Sequence, residues 1–137
     1  MAATLLAAGC GSGPRVGPPE PASTGPAGTF SSIEQNILVP RCASAACHSG
    51  NPPPSAPLSL DLEVAYANIV SQPSQQLPGM NQVEPGRPDQ SYLLLKMRGT
   101  AGSVGGVATP MPINDQSLDD ADLAAVESWI LDGAPND

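Results

Sequence analysis

Residues 30–137 are predicted to form an all-α domain of about four short helices joined by long loops rich in proline and glycine. Three observations carry this. Four short runs place apolar side chains at helical spacing behind polar caps. No segment alternates in the manner of a strand, and no internal repeat is present. The 17 prolines and 14 glycines of the 137-residue chain break up what lies between. Only four residues are aromatic, Phe30, Tyr66, Tyr92 and Trp129, which leaves little bulk for a self-sufficient core.

The chain opens with a small apolar segment, Met1 to Gly9, that runs directly into Cys10. Leu6-Ala7-Ala8-Gly9-Cys10 resembles the lipobox of a bacterial lipoprotein signal, in which the cysteine is acylated and becomes the mature N-terminus. Two departures stand against it: no Lys or Arg precedes Cys10, and Ala7 stands where leucine is commoner. The alternative is a free cysteine after an apolar leader. No stretch approaches the roughly 20 apolar residues of a spanning helix, so a membrane tie would have to be such an anchor. Residues 11–29 hold five prolines and five glycines with Val16 as the one large aliphatic. Such a segment buries too little to fold and is expected to act as a tether. The predicted organisation is therefore a leader and tether over 1–29 and a folded domain over 30–137.

Within the domain, Ser31 followed by Glu34 is a capping-box pattern, and Phe30, Ile33 and Ile37 share a face until Pro40 is expected to end the helix. The second predicted helix runs from Asp61, as cap, to Val70 with Leu62, Ala65, Tyr66 and Ile69 on one face. A third is expected from Pro88 through Tyr92-Leu93-Leu94-Leu95 to Met97, ended by Gly99. The last carries the strongest signals. Asp119 caps, Asp122 closes the box, Leu118 and Leu123 form a staple, and Leu123, Val126 and Ile130 share a face up to Gly133.

Candidate chemistry sits in Cys42-Ala43-Ser44-Ala45-Ala46-Cys47-His48, which sets two thiols and an imidazole within seven residues. In the common C-x-x-C-H pattern the thiols add across the vinyl groups of a haem and the adjacent histidine takes an axial position on the iron. Here the spacer has four residues. On a continuous helix two positions five apart point about 140° away from each other, so the segment must leave helical form. A Cys42–Cys47 disulfide and a zinc site completed by a carboxylate are the competing readings. With one histidine in the chain, a sixth iron ligand falls to methionine: Met80, Met97 or Met111. Met97 lies in an apolar helical run and Met80 in a polar turn. Met111, between Pro110 and Pro112, is held in an extended strap that aims one side chain.

From Phe30 to Ala134 the sequence resembles the small extracytoplasmic cytochrome c domains of the planctomycete type. The stations come in order: a short helix before Cys42...Cys47-His48, Leu58-x-Leu60, Val83-x-Pro85-Gly86-x-Pro88-x-x-Ser91-Tyr92-Leu93, Met111-Pro112, Leu118 before an acidic helix start, and Trp129-Ile130-x-x-Gly133-Ala134. The resemblance implies a class I-like cytochrome c fold with one covalent haem c, Cys42 and Cys47 as thioether residues, His48 proximal and Met111 distal. It also implies that Trp129 packs on or near the haem. A filled sixth position makes the expected protein an electron carrier and not an enzyme. An open one would suit a gas sensor or peroxidase, and a chain without haem would be a disulfide-stapled lipoprotein module. The net charge of −8 argues against nucleic acid as a partner and suits a redox protein with a basic docking surface. The expected place is outside the cytoplasm, lipid-anchored at Cys10 in the cell envelope.

Overall fold

Thr29, and not the Ser31 that the capping pattern predicts, opens the first helix. Its side-chain oxygen accepts from the Ser32 amide at 3.3 Å, and the helix α1 spans Phe30–Ile33. Beginning two residues earlier puts Phe30 on the helix and into the core, where it is buried. The Phe30 and Ser31 amides, orphaned at a helix start, are taken by Asp137 through its Oδ1 (2.8 Å) and its main-chain oxygen (2.9 Å). The computed structural model describes residues 28–53, 57–113 and 118–137. The apolar leader, Cys10 and the tether as far as residue 27 lie outside the described residues.

Pro40 does not end the helix as expected. The chain widens into a π-helix over Glu34–Cys42, and the Ala43 amide donates five residues back to the Leu38 carbonyl at 2.9 Å. A proline offers no amide hydrogen, and its ring crowds the carbonyl four residues earlier. A wider turn relieves that crowding while keeping Ile37 and Leu38 both buried. The π-helix then stops at Cys42, so the thiol pair does leave helical form as the spacing requires.

The helix α2 is shorter than predicted, Ala65–Ile69. Asp61 does not cap it with its side chain; that carboxylate is engaged elsewhere, and Glu63 adopts the left-handed φ of 70°. Such a backbone breaks a helix and is costly outside glycine. It is held by Glu34, whose Oε1 accepts from the Glu63 amide at 3.1 Å. The third predicted helix divides into a 3-10 turn, Pro88–Gln90, and the helix α3, Tyr92–Met97. Ser91 is the break: its buried hydroxyl accepts from the Glu84 amide and donates to the Arg87 carbonyl, both at 2.9 Å. Gly99, at φ 70°, ends α3 as expected. A second 3-10 turn follows over Ala101–Val104.

The helix α4, Asp120–Leu131, matches its prediction closely. The Asp119 carboxylate accepts from the Asp122 amide at 2.8 Å, Gly133 takes a φ of 95° beyond its end, and Leu118 and Leu123 pack on the core. Both α1 and α3 pack against α4. Among the described residues no strand forms, and two isolated bridges, Val70 with Val83 and Pro73 with Asn81, are the extent of β pairing. The domain is thus a small all-α unit. Its core is chiefly aliphatic, with Ile33, Ile37, Leu60, Ile69, Leu94 and Ile130 fully enclosed. Three of the four aromatics gather at one end of it. Phe30 meets Tyr66 edge-on at 5.0 Å and lies 5.4 Å from the Trp129 ring.

Candidate functional site

Cys42 ends the π-helix half-buried, its sulfur 3.9 Å from the Ile37 carbonyl oxygen. Burial pushes this thiol up to about 11, against the opposing pull of the neighbouring Arg41 charge, so at neutral pH it carries its proton. Cys47 lies on a turn closed by its own amide, which donates to the Ser44 carbonyl at 2.9 Å, and its side chain is exposed. Both thiols are free. The small residues between them, Ala43 to Ala46, let the backbone turn tightly without side chains in the way.

His48 is fixed at two points. Its Nδ1 lies 2.7 Å from the Leu58 carbonyl oxygen. A carbonyl only accepts, so Nδ1 carries a proton, and in the neutral imidazole the lone pair is then on Nε2. The His48 carbonyl in turn accepts from the Leu60 amide at 2.8 Å. The Leu58-x-Leu60 segment therefore clasps the imidazole and its own main chain together, while Leu60 anchors the segment in the core. Asp61 steadies the turn after His48: its Oδ2 accepts from the Gly50 amide at 2.6 Å and from the Ser59 hydroxyl at 3.1 Å. Hydrogen bonds from Ser49, Gly50 and Ser59 hold the Asp61 carboxyl below its ordinary range. That is why this carboxylate is not spent on capping α2.

Met111 is half-buried on a strap laid across α3. Its amide donates to the Lys96 carbonyl at 3.1 Å. The Lys96 ammonium donates to the Val107 carbonyl at 3.1 Å and to the Thr109 carbonyl, and the Val107 amide donates to the Tyr92 hydroxyl at 3.0 Å. Gly106 makes the close approach possible, because a Cβ there would stand 2.5 Å from the Tyr92 ring. Lys96 is 5% exposed, and this burial pulls its ammonium below its ordinary value.

Of the other candidates, Met97 is buried in the core, as predicted for it. Met80 lines an open cleft of about 200 Å3 with Pro78, Gly79, Asn81, Glu84 and Gln90. Trp129 is fully enclosed in α4, its Nε1 donating to the Pro135 carbonyl at 2.8 Å, with Phe30 against its ring. Its surroundings are those of a helix interface.

The fold thus ends the π-helix on Cys42, leaves Cys47 near enough to act on its charge, and turns the His48 ring onto Leu58. Cys42 and Ala43 pack on the same core that holds Trp129 and Met97. Arg41 adds a charge contact across to α4, 3.5 Å from Asp122 Oδ2. That distance is long for a hydrogen bond, and Oδ2 has none. Met111 stands on the strap, tied to Lys96 of α3, and among the described residues no hydrogen bond joins it to His48. No group of three or more His, Cys, Asp and Glu side chains among the described residues is arranged to hold a metal ion. Sequence reasoning did not identify Leu58, Tyr92 or Lys96 as parts of this arrangement. For Lys96 a signal existed: it lies three residues after Leu93 within an apolar run, on a face that helical spacing turns inward.

Comparison of the chain with known protein families, with characterised proteins and with solved structures finds no match.

Proposed function

We propose that residues 30–137 are a monohaem c-type cytochrome domain that carries single electrons outside the cytoplasm, tethered through residues 11–29 to a lipid anchor at Cys10. The observation that supports this most directly is the state of His48. Its Nδ1 is committed to the Leu58 carbonyl, which in the neutral imidazole leaves Nε2 as a lone-pair donor, and Cys47, next to it in the chain, and Cys42 are both free thiols. Those residue types suit a haem held by two thioethers and an imidazole. Zinc would need a fourth ligand, and no group of three His, Cys, Asp or Glu side chains among the described residues is arranged to hold a metal ion.

In this reading Cys42 and Cys47 would hold the group covalently, and His48 and Met111 would ligate its iron. When bound, the haem would supply a one-electron iron couple. The remaining work belongs to the polypeptide. The bond from Nδ1 to the Leu58 carbonyl raises the basicity of Nε2 and stops the ring from turning. Asp61 keeps the turn after His48 closed, and the core behind Cys42 excludes water from that side. The acidic surface favours encounter with a basic redox partner.

The test is expression of the full chain with a cytochrome c maturation system, followed by a pyridine haemochrome spectrum and intact mass. One covalent haem per chain, with six-coordinate spectra in both oxidation states, is the expected result. A haem-free mass containing a Cys42–Cys47 disulfide overturns the proposal. A five-coordinate spectrum redirects it toward gas sensing or peroxidase chemistry. An acylated Cys10 in the mature protein would support the anchor.

A further inference from the structure

We infer that Lys96 is a positioning residue for Met111, a buried clasp that holds the methionine strap in place before any ligand is bound. The inference rests on the proposed function for the meaning of Met111 as an axial ligand. The clasp itself rests on geometry.

A lysine is among the residues least often buried, and an enclosed ammonium needs hydrogen-bond acceptors to offset its desolvation. Lys96 is enclosed, and the acceptors that hold its ammonium are two carbonyls of one loop, Val107 and Thr109. The same residue's main-chain carbonyl takes the Met111 amide. One residue therefore grips the strap at three points over five positions and ends on the methionine. Tyr92, one helical turn earlier on α3, adds a fourth point by accepting from the Val107 amide, and its own hydroxyl proton goes to Gln76 Oε1 at 2.9 Å. The strap buries little side chain, with Val107 and Ile113 exposed and Met111 only half-buried. Hydrophobic burial alone does not account for its fixed path. Side-chain contacts from α3 to its backbone can.

Lys96→Met keeps the length and apolar stem of the side chain and removes the donors; Lys96→Arg keeps the charge and the donors. In the full chain, amide hydrogen exchange at Val107 and Met111 should be about ten- to a hundredfold faster in Lys96→Met. That range is expected for losing charge-assisted hydrogen bonds. Exchange at Val126 and Ile130 in α4 should be unchanged. In the haem-loaded chain Lys96→Met should keep covalent haem but lose most of the far-red methionine-to-iron band, and Lys96→Arg should restore it. Tyr92→Phe removes one contact and should accelerate strap exchange by less than Lys96→Met. If wild-type protein carries the band and Lys96→Met keeps both the band and the strap protection, the clasp is overturned while the cytochrome reading stands. If wild-type protein takes up no haem, the ligand role falls with the cytochrome reading. Slowed strap exchange in wild type alone would then show a clasp serving only the fold.

Discussion

The loop after Cys42 and the strap before Pro112 both present backbone at the surface, but they are held in opposite ways. The loop is tied to the irregular segment 58–61: His48 to Leu58 and Leu60, and Gly50 to Asp61. Its fasteners are main-chain groups, an imidazole and a carboxylate in reach of water. The strap is tied by side chains that rise from a core helix, the Lys96 ammonium and the Tyr92 hydroxyl. The strap therefore inherits the rigidity of α3, whereas the loop is only as stable as its local bonds. A site with one ligand on each would have one adjustable side and one fixed side.

The largest expected effect falls on the foundation of the strap. Met97→Ala empties a core position of α3 and should cost about 2–5 kcal/mol in urea unfolding; a loss below about 1 kcal/mol would mean that α3 does not support the strap through the core. Asp119→Ala removes the α4 cap and should cost about 1 kcal/mol. It touches neither region, so any change in relative exchange between loop and strap would break the comparison. Met111→Ala should change fold stability by less than about 1 kcal/mol, since the side chain is only half-buried. In the haem-loaded chain it should keep covalent haem, abolish the far-red band and lower the potential. Loss of that band in Met80→Ala instead would move the ligand to the cleft.

The smallest effect is one of pH. The Asp61 carboxyl is held below its ordinary value by Ser49, Gly50 and Ser59, so its folded pKa lies under that of the unfolded chain, about 3.9. Its contribution is complete above the unfolded value and is lost as pH falls through the folded one. Exchange at the Gly50 amide should accelerate below about pH 4, ahead of exchange at Met111. Asp61→Asn should remove that difference, and equal acid sensitivity of loop and strap would contradict the contrast between them.

Legibility in the sequence followed how local each determinant is. The boundaries of α4 were readable because each is set within a few residues: Asp119 takes the Asp122 amide at one end, and Gly133 turns the chain just past the other. Pro40 misled because the need to bury Ile37 and Leu38 outweighed the helix-ending tendency of proline, and the chain widened its turn instead. Asp61 had the composition of a cap but found closer work with Gly50, a partner that only the folded path brings near. Cys42, Cys47 and His48 were legible as a cluster, being contiguous. The Leu58 acceptor was not, because a run of prolines separates it from His48, and the grip of Lys96 on the strap depends on a chain reversal that no spacing rule encodes.

The Asp137 contacts also bear on the order of events during synthesis. The residue that takes the Phe30 and Ser31 amides follows Phe30 by 107 positions. A ribosome or export channel releases the thiol-bearing segment long before it releases the residue that seals its first turn. Until that release, the start of α1 lacks two of its acceptors. In the proposed cytochrome, that interval would leave both sulfurs open to a maturation enzyme before the domain closes over Cys42.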